Sequence, residues 1–170
     1  MKKVKVVGER ERGQRWERVG SLCHMPVHPK NPHICNRRLA RMLIYASHHR
    51  GNPLAKTLFF LAGCDFGISM PESTFLPHPQ GIVIGRGVRL GENVVIGHQV
   101  TLGGRDLEIG NMPDVGDGVY LGAGAKILGK LKVGAGATIG ANAVVTKDVP
   151  AGAVVVGANR ILPGKRSAYV

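Results

Sequence analysis

Residues 84–102 read IGRGVRLGENVVIGHQVTL, and within them an aliphatic side chain returns at every sixth position: Ile84, Leu90, Ile96 and Leu102. After an interruption the same beat resumes at Val115, Leu121, Ile127, Val133, Ile139 and Val145. Glycine follows most of these residues directly, as at Gly85, Gly91, Gly97, Gly103, Gly116, Gly122, Gly134 and Gly140. A second small or aliphatic row lies four residues after most of them: Val88, Val94, Val100, Val119, Ala125, Leu131, Ala137 and Ala143. An amphipathic helix needs a period of 3.6 and a half-buried strand strict alternation, and six fits neither. The period predicts a mainly β chain in the form of a parallel β-helix, in which each hexapeptide makes one flat side and three sides close a coil. On this reading the recurring aliphatic points inward and the glycine turns the corner through dihedrals that other residues avoid. Stability then comes from stacking coil on coil rather than from local propensity.

The beat breaks between Leu102 and Val115, where the spacing is thirteen, one more than two repeats. A flat side cannot absorb an odd residue, so residues 105–114 are expected to leave the column as a loop. A surface insertion of this kind is common in general. The polar composition of the loop and its start after Gly103 and Gly104 favour a role over a site between coils.

Outward from the repeat, the chain changes character. Two short helices are expected before it. The first runs from Asn36 to His49, with Asn36 as N-cap and Leu39, Met42, Leu43 and Ala46 at helical spacing. The second opens at Pro53 after the Gly51-Asn52 break and ends near Gly63. Further upstream the charge is concentrated: residues 1–60 carry 13 Lys or Arg against 3 Glu, residues 61–170 carry 10 against 8 acidic residues, and the whole chain is +12. Such an arm is drawn to phosphates or carboxylates of any kind. With a single Trp16 and no reading module, it does not define a specific nucleic-acid binder. Cys23, His24, His28, His33 and Cys35 crowd the same proline-rich stretch; Cys23, His28, His33 and Cys35 could supply four zinc ligands, though their spacing matches no zinc pattern. The expected organisation is an irregular basic arm (1–35), a short α-helical region (36–63), the β-helix domain (64–166) with its loop at 105–114, and a tail (167–170).

Composition excludes several classes. With 25 Gly, 44% hydrophobic residues and no Gly-X-Y run, the chain is neither disordered nor collagen-like. The apolar run around Leu58–Leu61 falls far short of the roughly 20 residues that span a bilayer. The opening MKKVKVVGERERG carries charge where a secretion signal would be apolar, and three cysteines make no disulfide framework, so a cytoplasmic, reducing location is expected.

Counting six back from Ile84 lands on His78, as though a histidine stood at an inward position. The stretch LPHPQGIVIG, followed by VTLGG, GAGAKILG, VGAGATIGANAVV and the terminal VGANRILPGK, resembles the serine acetyltransferases and their O-acetyltransferase relatives in order and spacing, over about residues 53 to 166. The resemblance implies a left-handed parallel β-helix, an exception to the right-handed rule for parallel crossovers. It also implies a homotrimer and acetyl-CoA as acyl donor, with no metal. His78 matches the general base that deprotonates an acceptor hydroxyl, a task that suits imidazole at neutral pH. Gly104 matches a backbone N–H directed at the thioester carbonyl, an oxyanion-hole donor. Ala123 and Ala141 match positions along the pantetheine arm, and Lys147 and Lys165 are candidates for the nucleotide phosphates of CoA.

The chain departs from that family where the amino acid is gripped. An Asp before the base and an Arg-His pair in the loop are replaced by Pro77, Asn111 and Met112, and the acid that orients the base aligns with Ser69, with Asp65 a nearby substitute. A free amino acid needs charged partners when buried. A sugar or small-metabolite hydroxyl is therefore expected to be a better acceptor than serine. Other readings stay open: an amino-sugar N-acetyltransferase, a noncatalytic scaffold with an anion-binding arm, and a metal hydratase. The last needs three histidines, and only His78 and His98 lie in this half. His98, two residues after Ile96, is expected to point outward as a surface residue.

Overall fold

In the computed structural model of the chain, residues 27–28, 31–105 and 110–162 are described. Cys23, His24, Lys165 and loop residues 106–109 lie outside them, as do the side chains of His28, His33 and Cys35. Within the stretch expected to be irregular, β1 (Val27–His28) pairs antiparallel with β2 (Asn31–Cys35).

From Asp65 onward the chain visits three sheets in rotation. The first holds β3 (Asp65–Phe66), β4 (Val83–Ile84), β7 (Thr101–Gly103), β10 (Lys126–Leu128) and β13 (Val144–Val145). The second holds β5 (Arg89–Leu90), β8 (Asp114–Val115) and β11 (Lys132–Val133). The third holds β6 (Val95–Ile96), β9 (Tyr120–Leu121), β12 (Thr138–Ile139), β14 (Val154–Val156) and β15 (Arg160–Leu162). All pairings between these strands are parallel except the last, where β15 turns back antiparallel on β14.

The register puts the six-residue beat into three columns. Phe66, Ile84, Leu102, Ile127 and Val145 stack in the first sheet. Leu90, Val115 and Val133 stack in the second, and Ile96, Leu121, Ile139 and Val155 in the third. Apart from the half-buried Leu90, all are buried, as is the entire second row from Val88 to Ala143. Each fully buried aliphatic contributes on the order of 1.5–3 kcal/mol relative to exposure.

Glycine is used differently from the sequence-based expectation. The residue directly after the inward aliphatic does not turn the corner. At Gly122 it is needed because a Cβ would stand 2.6 Å from the Ala141 nitrogen of the next coil. The left-handed turn comes two residues later, where Gly124 has φ 71°, and Gln99 and Asn142 take the same place at 57° and 55°. Coil spacing and corner turning are thus separate demands on separate positions.

The interruption also reads differently. Leu102 and Val115 lie on consecutive sides, since Val115 stacks on Leu90. Consecutive sides are six residues apart from Ile84 to Leu102 and from Val115 to Val145, so the loop is an insertion of seven residues into one side rather than one odd residue in two repeats.

Two helices precede the coil: α1 (Arg38–His48) and α2 (Pro53–Ala62). The second matches the expectation closely. Asn52 Oδ1 accepts the Leu54 N–H at 2.8 Å, Pro53 occupies the first turn, and Gly63 closes the helix at φ 61°. The first differs. Asn36 is not its N-cap; it is 2% exposed, and its amide donates to the Thr74 carbonyl while its oxygen accepts the Leu76 N–H, both at 2.7 Å. The residue at the N-cap is Arg37, which makes no side-chain cap bond, and the Asn36 side chain is held by the coil instead. The helix buries Ala40, Leu43, Ile44, Ala46 and Ser47, leaving Leu39 and Met42 exposed, because Ser47 Oγ must reach the Met70 N–H at 2.9 Å.

Candidate active site

The corner between the third and first sheets carries one residue per coil, two positions after the inward aliphatic: His98 after Ile96, Ala123 after Leu121 and Ala141 after Ile139. Backbone bonds hold this row in line, with Gly124 N–H donating to His98 O and Asn142 N–H to Ala123 O, each at 2.8 Å. His98 and Ala141 are exposed and Ala123 is half-buried. The upper part of the row is therefore a small-residue strip along the column edge.

His78 enters this row by an irregularity. Phe75 bridges to Val95, so Leu76 sits against Ile96 and is the inward residue, fully buried. His78 is not at an inward position: Leu76 and Ile84 are eight residues apart, and counting six back overlooks two extra residues. The ladder shows where they go. Gln99 N–H donates to Gln80 O, so Gln80 fills the place that His98 and Ala123 fill above it. His78 is pushed out of the corner while Pro79 is buried beside it, and the Gln80 N–H donates to the His78 carbonyl at 2.8 Å. The ring is exposed and meets the His98 ring edge-on, with centroids 6.3 Å apart at 82°.

Behind this bulge lies Cys64, 7% exposed, whose Sγ–H donates to the carbonyls of Ala62 at 3.5 Å and Pro79 at 3.6 Å. Burial pushes its thiol up from 9.0, against the opposing pull of the Ile82 and Gly81 backbone amides. The folded chain holds this proton more tightly than the unfolded one, so the contribution to stability is intact below pH 9 and is lost as the pH rises through the raised value. Two outcomes follow. Urea midpoints should fall more steeply between pH 9 and 10.5 for the natural chain than for Cys64→Ala. Iodoacetamide at pH 8, followed by peptide mapping, should label Cys64 at least about tenfold more slowly than in urea.

The remaining candidates are spread around the column. Pro77, Gly104, Asn111 and Met112 are half-buried, and Lys147, Asp65 and Ser69 are exposed. Gly104 follows β7 and so leaves the first sheet at the edge opposite the corner that carries His78. Met112 folds back over the next corner, where its sulfur would lie 3.2 Å from a Cβ at Gly85. Among the described residues no carboxylate bonds the His78 ring, and no group of three or more His, Cys, Asp or Glu is placed to hold a metal. Two hollows open away from His78. One of about 490 Å³ is lined by Arg89, Met112, Asp114, Lys130 and Lys132; one of about 360 Å³ lies between α1 and Glu72. Sequence reasoning missed Lys126, whose ammonium donates to the Gln99 carbonyl at 2.7 Å beside His98. Its signal was a cation at an outward strand position inside GAGAKILG.

A column of parallel hexapeptide sides with an exposed histidine corner defines a class: residues 113–147 match the family described as bacterial transferase hexapeptide (six repeats). Full-chain comparisons narrow this. The chain is 42% identical over 143 residues to a serine acetyltransferase of Mycobacterium tuberculosis, covering 80% of this chain and 59% of that protein. It is 32% identical over 157 residues to a serine acetyltransferase of Staphylococcus aureus, covering 91% and 72% respectively. A solved Neisseria gonorrhoeae serine acetyltransferase is 32% identical with a TM-score of 0.56, over 78% of this chain and 55% of that one. The chain belongs to the serine acetyltransferase family. It spans 59% of the length of the Mycobacterium relative and about half of the solved chains. Among the described residues no helix is long and apolar enough to cross a membrane.

Proposed function

We propose that the protein is an acetyl-CoA-dependent O-acetyltransferase built on a left-handed parallel β-helix of hexapeptide repeats, working in the cytoplasm as a homotrimer. The observation that carries this reading is the His78–Pro79 bulge: two residues beyond the repeat put an imidazole outside the column at the head of the small-residue strip. A fold that needed His78 only for packing would have left it inside.

In this mechanism the acceptor hydroxyl gives its proton to His78 as its oxygen attacks the thioester carbonyl carbon. The Gly104 N–H donates to the resulting oxyanion. The C–S bond then breaks, and the CoA sulfur takes the proton back from His78. The pantetheine arm runs past Ala123 and Ala141, where small side chains let a thin ligand reach the backbone, and Lys147 and Lys165 meet the nucleotide phosphates. The separation of His78 and Gly104 across the first sheet supports the trimer, since a groove between two copies can bring one copy's His78 opposite the other's glycine edge.

Serine is the acceptor named for the relatives, and it is the first acceptor to test here. Pro77, Asn111 and Met112 favour a second reading, a neutral sugar or small-metabolite hydroxyl, because they offer no full charge to an ammonium or carboxylate. The experiment is CoA release from acetyl-CoA over a panel of L-serine, sugars and amino sugars, with product analysis for O- against N-acetylation. Turnover with a hydroxyl acceptor is the expected result. Failure to bind CoA by calorimetry would point instead to a scaffold.

A further inference from the structure

The geometry points to His98 as a second acceptor-contacting residue, one that selects acceptors with another oxygen function beside the reacting hydroxyl; this rests on the transferase reading above. At the same corner on later coils the fold asks for nothing larger than Ala123 and Ala141, so stacking does not require an imidazole at residue 98. Its ring is exposed, so burial does not explain it either. What it does have is the His78 ring edge-on at 6.3 Å. Each ring nitrogen lies on the order of 1 Å from its centroid, so the gap accepts two hydrogen bonds of about 2.8 Å, ending on one oxygen or on two neighbouring ones.

The charge around this gap favours the second arrangement with an anionic partner. The Lys126 ammonium is bonded to the carbonyl of Gln99, the residue that follows His98, and so brings a cation to this corner. On the His78 side the flanking residues Pro77 and Pro79 bring neither charge nor an N–H donor. An acceptor hydroxyl directed to His78 would thus present a neighbouring carboxylate or hydroxyl oxygen to the His98 N–H. A β-hydroxy carboxylate such as L-serine meets that description, and ethanolamine, which keeps the hydroxyl and amine but lacks the carboxylate, does not.

The test compares L-serine with ethanolamine as acceptors for the natural chain, His98→Ala and His98→Gln. Loss of a hydrogen bond used for recognition should raise the KM for L-serine about tenfold in His98→Ala, with kcat falling no more than about threefold, and the preference over ethanolamine should collapse. His98→Gln, which keeps a donor, should recover part of the loss. An unchanged KM and preference in His98→Ala, with turnover still dependent on His78, would overturn the inference and leave the transferase reading standing. If the natural chain released CoA with neither acceptor, the sugars of the wider panel would decide the transferase reading, and His98 would be judged by imidazole NMR with L-serine as probe. A serine-dependent shift of the His98 resonances supports contact, and none overturns it.

Discussion

His78→Ala is expected to lower CoA release by about 10²- to 10⁴-fold, the range supplied by a positioned acid–base group. The argument is geometric before it is chemical. The ring stands outside the column, on a corner two residues longer than the repeat, where a substrate can reach it. Its backbone carbonyl, not its side chain, is what the fold uses, through the Gln80 N–H. Removing the imidazole should therefore leave the far-ultraviolet dichroism and the urea midpoint within experimental scatter, and calorimetric binding of CoA should persist, because the strip at Ala123 and Ala141 is untouched. The loss should appear in kcat and kcat/KM together, as for a group that acts only in the transition state. A variant retaining half the natural rate would remove His78 from the mechanism.

Leu121→Ala is expected to be the most damaging of the simple core truncations, at about 2–5 kcal/mol by urea unfolding. Leu121 is fully buried between Ile96 below and Ile139 above, in the middle coil of the third column. The backbone there cannot collapse to fill the gap, because the Gly122 N–H is already bonded to the Ile139 carbonyl of the next coil at 2.8 Å. In a quasi-one-dimensional stack, loss at a central layer weakens the interface on both sides, whereas the same change at a terminal layer weakens one. Val155→Ala, near the end of the same column, should cost less, even after allowing for the smaller side chain. Equal losses at the two sites would show that the column does not transmit the defect between neighbours.

How far the site could be read in advance depends on which residues obey the beat. Ile84 through Val145 could be assigned inward because a hydrophobic period is a local property: it shows wherever the chain repeats, and each coil demands the same thing. His98, Ala123 and Ala141 fall on one corner by the same arithmetic, two residues past an inward aliphatic. Asn36 reads as a cap because it is a polar residue before a helix, while its actual partners, Thr74 and Leu76, are far away in sequence. His78 falls at an inward position only if every side has six residues, and Leu76 takes that place instead. Met112 could be recognised as a departure from the family pattern, but its seat over Gly85 depends on where the loop returns.

The sequence by itself determined the three-sided column and its inward rows, since a period of six with paired apolar rows admits few other solutions. Only the tertiary structure decided that Leu76 rather than His78 faces the core, that seven residues leave the side after Leu102, and that two imidazoles meet across one corner. The physical reason is that counting assumes sides of constant length. Extra residues at a corner leave no mark on composition or period, and their place is set by which backbone N–H finds which carbonyl on the neighbouring coil. Here it is the Gln99 N–H, by pairing with Gln80, that turns the histidine outward.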